Sequence, residues 1–168
     1  MENLYPRSFN HVGVGVSDLE QAIQWYGTVF GFVLLGGPFE VHRDGSHAGR
    51  QATEVLGKPF QKMRMAHLTT GNGIGFELFQ LLDPNHERRS PALEFWKNGF
   101  FHVCITDPNI ENAVNRIVER GGKQLSQIWQ IDEAVPGYSM CYCEDPFGNI
   151  LEIYTHSYDQ LYGGLSGK

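Results

Sequence analysis

Phe9-Asn10-His11-Val12-Gly13-Val14 and Phe100-Phe101-His102-Val103-Cys104-Ile105 are two copies of one stretch, and reading them together decides the fold. From this seed the register runs without a gap for twenty further residues. Leu19 lies over Ile110, Glu20 over Glu111, Ala22 over Ala113, Ile23 over Val114 and Gly31 over Gly122, at a constant offset of 91 (His11 to His102). A second block follows at an offset of 75 (Glu77 to Glu152): Gly73-Ile74-Gly75-Phe76-Glu77-Leu78-Phe79 matches Gly148-Asn149-Ile150-Leu151-Glu152-Ile153-Tyr154, with Met65 over Met140. The offset falls from 91 to 75, so the first copy is 16 residues longer, an insertion placed between Gly36 and Lys62. Such internal repetition marks two supersecondary units of one kind.

Each copy reads as βαβββ. Residues 9–16 and 100–106 alternate with the period of two that marks a strand. Ser17-Asp18-Leu19-Glu20 resembles a capping box ahead of a helix whose apolar stripe is Leu19, Ala22, Ile23 and Tyr26. Asp107-Pro108 predicts an N-cap and first-turn proline for a helix with Ile110, Ala113, Val114 and Ile117 inward. Gly31 and Gly121 are placed to end the two helices. Thr70-Gly71-Asn72-Gly73 and Asp145-Pro146-Phe147-Gly148 read as tight turns joining the last two strands of each copy. The expected fold class is α+β: two tandem βαβββ modules. The first module spans 8–82, a linker 83–98, the second module 99–157 and a mobile tail 158–168.

Strand alternation divides the polar residues from the core. Val12, Val14 and Val16 face the helix, and His11, Gly13 and Gly15 face away; Val103 and Ile105 likewise oppose His102, Cys104 and Thr106. Phe76 and Leu78 flank Glu77 on the opposite face, as Leu151 and Ile153 flank Glu152. A carboxylate inside an apolar strand is costly unless paired or bound to metal. Its occurrence twice, at equivalent repeat positions and each with a histidine, has one shared explanation: His11, Glu77, His102 and Glu152 ligate a single divalent cation. Taken singly, such a His or Glu is more often structural or solvated; the four together are what point to a site.

Composition narrows the remaining classes. The chain has 168 residues, 41% hydrophobic and 12% aromatic, enough for packed cores rather than disorder. A formal charge of −6 without any Lys/Arg run speaks against nucleic acid or an anionic membrane as partner. No apolar run approaches the ~20 residues of a membrane span. Met1 to Ser8 lacks a signal-peptide pattern, and three cysteines, Cys104, Cys141 and Cys143, read as small buried hydrophobes in a cytoplasmic protein. His42, Arg43, His47 and Arg50 in the insertion are candidates for contacting an anionic substrate, with a solvated loop as the plainer reading.

These features resemble the vicinal-oxygen-chelate superfamily, which includes glyoxalase I, methylmalonyl-CoA epimerase, fosfomycin-resistance proteins, bleomycin-binding proteins and extradiol dioxygenases. The resemblance rests on His11-Val12-Gly13-Val14, the helix from Asp18 to Gly31 with Trp25-Tyr26 and Phe30-Gly31-Phe32, and Asp145-Pro146-Phe147-Gly148-Asn149-Ile150-Leu151-Glu152. It implies that the two tandem βαβββ modules form a cupped mixed sheet around a metal site, with the metal (Zn, Ni, Co, Mn or Fe(II)) chelated by two oxygens of a small-molecule substrate, and a homodimer. The ligand order His, Glu, His, Glu is similar to bacterial glyoxalase I and implies isomerase, epimerase or lyase chemistry: proton transfer next to a carbonyl, with Glu152 and Glu77 as the catalytic carboxylates. Where glyoxalase I holds glutathione with an Arg, this chain reads Phe32-Val33-Leu34-Leu35-Gly36-Gly37, which removes the expected glutathione contact. The alternative is an Fe(II) extradiol-type dioxygenase on an aromatic substrate, with His11, His102 and Glu152 as a facial triad and His67 and Tyr142, at equivalent repeat positions, assisting. A small-molecule binding or resistance protein is the third class.

Overall fold

The computed structural model describes residues 5–90, 94–133 and 136–163, and the chain divides into two compact units, Met1–Glu87 and Arg88–Lys168. In the first unit β1 (His11–Gly15), α1 (Leu19–Phe30), β2 (Val33–His42), α2 (His47–Leu56), β3 (Lys62–Thr69) and β4 (Gly75–Asp83) follow in order, and the sheet order is β1-β4-β3-β2. In the second, β5 (Val103–Thr106), α3 (Ile110–Glu119), β6 (Lys123–Gln124), β7 (Trp129–Gln130), β8 (Ser139–Glu144), β9 (Ile150–Tyr154) and α4 (Tyr158–Gly163) give the order β5-β9-β8-β6, with β7 also on β8. Both sheets are mixed: β1 runs parallel to β4 and β5 to β9, while the remaining pairs are antiparallel. The expected α+β class with two βαβββ modules is therefore present.

Each helix buries its stripe on one face of its own sheet. Leu19, Ala22, Trp25, Tyr26 and Val29 of α1 are buried, and Tyr26 lies 4.6 Å, centroid to centroid, from Phe76 of β4. Ile110, Ala113, Val114 and Ile117 of α3 are buried as their spacing predicts, over β6, β8 and β9. Tetrad turns close as read: the Gly73 N–H donates to the Thr70 carbonyl and the Gly148 N–H to that of Asp145, both glycines at positive φ.

The helix starts differ from expectation, for a tertiary reason. Asp18, not Ser17, caps α1, its carboxylate accepting from the Gln21 N–H at 2.9 Å, while Glu20 is drawn away from the cap by a two-pronged contact with Arg64. Asn109 caps α3, accepting from the Asn112 N–H, because Asp107 is held by Arg116 and the Asn109 N–H; Pro108 accordingly precedes the cap. Asp18→Ala is expected to destabilise the protein by about 1 kcal/mol, the usual worth of an N-cap, as measured by urea unfolding.

Three further expectations are corrected. The insertion is not a solvated loop: Ser46 caps a helix, α2, whose Ala52 joins Val41, Phe60 and Met63 in a second core. The stretch from 158 begins as helix α4 with Leu161 buried rather than as tail; residues 164–168 lie outside the described residues. Cys141 and Cys143 are buried, but Cys104 is exposed, because it lies on the strand face turned from the helix.

Candidate metal centre

Strand register sets the site in each unit. Gly13 of β1 and His67 of β3 flank Glu77 of β4; Cys104 of β5 and Tyr142 of β8 flank Glu152 of β9. These partners are themselves equivalent by the two repeat offsets, so the duplication extends from sequence to side-chain neighbourhood. In β1 the space beside the carboxylate exists because Gly13 carries no side chain: a Cβ there would lie 3.1 Å from the Phe79 ring.

In the first unit His11 Nε2 lies 3.5 Å from Glu77 Oε2, and His67 Nδ1 lies 3.2 Å from Glu77 Oε1. The other nitrogen of His11, Nδ1, is 2.7 Å from Asn10 Oδ1. A carboxamide oxygen only accepts, so Nδ1 carries a proton and Nε2 is the nitrogen that faces Glu77. Asn10 was not singled out from the sequence, although a polar residue beside a ligating histidine is the signal to look for.

In the second unit His102 Nε2 lies 3.2 Å from Glu152 Oε2, and Glu152 is buried, 6% exposed. Cys104 of β5 and Tyr142 of β8 are the register neighbours of this carboxylate, and the Tyr142 ring lies 5.6 Å, centroid to centroid, from that of His102. Burial, and after it the Glu152 charge, push the Tyr142 phenol up to about 12, so it keeps its proton. Burial and a hydrogen bond with Tyr162 of α4 likewise push the Tyr154 phenol well above its ordinary range. Among the described residues, the buried His102 Nδ1 has no hydrogen-bond partner, whereas buried polar atoms ordinarily have one. Tyr162 was missed in the sequence because α4 fell within the expected tail, and Tyr154 was read only as the counterpart of Phe79.

The donor set suits a cation. Two donors each ~2.1 Å from one ion stand about 3.0 Å apart at a right angle and about 3.4 Å at the tetrahedral angle. The His11–Glu77 and His102–Glu152 separations of 3.5 and 3.2 Å lie at that spacing. Among the described residues, no group of three or more His, Cys, Asp or Glu side chains is drawn together into a cluster that would hold a metal by itself. Also among the described residues, no helix is long and apolar enough to cross a membrane.

Comparison with known proteins places the chain. A family model described as the Glyoxalase/Bleomycin resistance protein/Dioxygenase superfamily matches residues 8–153. No curated protein matches. Among solved structures, a glyoxalase family protein from Bacillus cereus is 24% identical with a TM-score of 0.69, over 91% of this chain and 95% of that one. The fosfomycin resistance protein FosX from Mesorhizobium loti is 14% identical with a TM-score of 0.57, over 95% and 99%. A FosX variant from Listeria monocytogenes, solved with Mn(II) and 1S,2S-dihydroxypropylphosphonic acid, is 10% identical with a TM-score of 0.59, over 96% and 99%. At these identities the likeness is one of fold.

Proposed function

The chain belongs to the glyoxalase/bleomycin resistance protein/dioxygenase superfamily, and from that premise we propose that it is a metal-dependent enzyme moving a proton next to a carbonyl in a small oxygenated substrate. Its divalent cation is held by His11, Glu77, His102 and Glu152. The observation that carries this reading is the His11–Glu77 contact. Asn10 holds a His11 proton on Nδ1, and in the neutral ring Nε2 and Oε2 then present lone pairs to each other at 3.5 Å. A charge-assisted hydrogen bond would close to ~2.7–2.9 Å; a cation between the pair accounts for the longer spacing. The Mn(II) in the Listeria FosX structure supports the same class of centre.

Glu77 counts as a ligand in this reading because its imidazole stands at the same kind of distance as that of Glu152. That equivalence favours proton transfer over a two-His, one-carboxylate oxygen chemistry. A bound divalent cation supplies polarisation of a substrate oxygen, which acidifies the neighbouring C–H. The residues do the rest. Glu77, whose side chain is 23% exposed, has His67 Nδ1 on its second oxygen, so a proton it accepts has a neighbouring base to share it. Glu152 is more enclosed and has Tyr142 as its register neighbour on β8.

The test has two readouts. Chelator-stripped protein titrated calorimetrically with Mn(II), Ni(II) and Zn(II) should bind a divalent ion, and His11→Ala should weaken that binding by on the order of 100-fold. The loaded protein should exchange deuterium from D2O into the carbon next to the carbonyl of α-hydroxy-ketone substrates. Oxygen consumption on a catechol panel, without such exchange, would transfer the protein to the dioxygenase class; absence of ion binding would sink the metal reading itself.

A further inference from the structure

The insertion of the first unit is built on the face that carries Glu77. Stepping along β4 by twos from Glu77 gives Phe79 and Leu81 on that face, with Met65 opposite Phe79 and Met63 opposite Leu81 on β3. These side chains meet Val41, Ala52 and Phe60 in the second core, so α2 closes one end of the face with apolar atoms. Between this closed end and the carboxylate stands Phe39. The register of β2 breaks between Leu34 and Gly36 and again between Gly36 and Phe39, a bulge that re-aims the strand. Gly37 makes the bulge feasible: its φ is +102°, and a Cβ there would lie 2.8 Å from the Met65 carbonyl oxygen. The Phe39 ring folds against Gly36, where an added Cβ would approach within 3.3 Å, and its centroid is 6.0 Å from that of His67. It nevertheless stays 48% exposed.

The charges of the insertion point elsewhere. His42 and Lys62 both lie 3.2 Å from Glu40, Arg43 donates to the Lys58 carbonyl, and Arg50 donates to the Gly45 carbonyl. Three of the four residues that the sequence offered for an anionic substrate, His42, Arg43 and Arg50, are thus committed within the insertion. What remains beside His67 is an open aromatic ring, that of Phe39, whose register partner on β3 is Met65.

We propose that Phe39, carried on the β2 bulge beside His67, is a specificity-determining residue that receives an apolar or aromatic substituent of the substrate. The substrate class is then a vicinal-oxygen compound with a hydrophobic side group, not one with a phosphonate or peptide carboxylate tail. This rests on the reading of His11 and Glu77 as metal ligands, and the probes are chosen to separate the two. Hydroxamates present two adjacent oxygens to a divalent ion whatever their substituent, so acetohydroxamate, benzohydroxamate and phosphonoacetohydroxamate differ only in what reaches the wall. Calorimetry on the Mn(II)-loaded protein should show benzohydroxamate binding about tenfold tighter than acetohydroxamate, as expected for one ring packed against another. Phe39→Ala should bring that ratio to about twofold or less with acetohydroxamate unchanged, and Phe39→Leu, which keeps the apolar surface, should retain most of it. Equal binding of the methyl and phenyl probes to the wild-type protein, or a preference for the phosphonate, would overturn the Phe39 assignment and leave the metal reading intact. Failure of acetohydroxamate to bind in a metal-dependent way would overturn both. Loss of both probes together in Phe39→Ala, with no recovery in Phe39→Leu, would make Phe39 structural and equally overturn the assignment.

Discussion

Glu152→Gln should raise the melting temperature of the metal-free protein and, in the same molecule, weaken divalent-cation binding by on the order of 100-fold. The two effects have opposite signs because Glu152 is buried, 6% exposed, in the middle of a strand whose five residues are all buried. Without a cation its charge has the His102 ring at 3.2 Å, with Tyr142 and Cys104 on the neighbouring strands. Replacing a buried carboxylate by the isosteric amide removes the cost of burying its charge, about 1–3 kcal/mol here, which for a chain of this size is about 2–4 °C per kcal/mol. With metal the order reverses. At an ion concentration of ~100 times the wild-type Kd, binding stabilises the wild type by about 2.7 kcal/mol. The variant, then at about its own Kd, gains only about 0.4 kcal/mol. Thermal unfolding with EDTA and with Mn(II) measures both signs. A variant that melts lower in EDTA and keeps the full Mn(II) shift would show Glu152 to be a structural carboxylate. Glu77→Gln should show the same pattern with a smaller metal-free gain, because the Glu77 side chain is 23% exposed and already partly solvated.

What the sequence disclosed and what it hid follow from how each feature is encoded. The repeat made the modules, the two helical stripes and the pairing of each histidine with a glutamate legible, since two copies test one another residue by residue. It also implied the strand neighbours: Gly13 and Cys104, or His67 and Tyr142, share an offset and turn out to share a register position beside their carboxylates. Features without a second copy stayed hidden. The α2 segment buries only Gly49 and Ala52, too few apolar positions to announce a helix. The reach of Phe39 over Gly36 depends on two register breaks that no local pattern encodes. The displaced helix caps have a different origin: Arg64, 44 residues from Glu20, and Arg116, nine residues from Asp107, recruit the side chains that local rules assign to capping. Local propensity proposes and tertiary partners decide.

Gly31 and Gly122 show how far equivalence extends, because they occupy the same repeat position for different reasons. Gly31 ends α1 at φ 70°, donating its N–H to the Gly27 carbonyl, and an added Cβ would meet nothing within 4 Å. Its requirement is conformational alone. Gly122 does not need positive φ, which after α3 falls to Gly121 at 87°. Its N–H donates to the Ile117 carbonyl at 2.9 Å, and a Cβ would lie 2.6 Å from both the Glu144 carbonyl oxygen and Ile117 Cγ2. Its requirement is close approach of backbone, which cannot relax by rotating a side chain. Gly31→Ala should therefore cost about 1–2 kcal/mol, the penalty of the left-handed region for a residue with a Cβ. Gly122→Ala should cost about 3 kcal/mol or more, since α3 must move off β8 and a packed contact is overfilled. Urea unfolding of the two variants measures the difference, and asparagine separates the causes. Gly31→Asn should recover part of the loss, because asparagine tolerates the left-handed region, whereas Gly122→Asn should be worse than Gly122→Ala. Equal costs at the two positions, or recovery by asparagine at both, would mean that one backbone demand governs the pair and that the close approach at Gly122 is not the constraint.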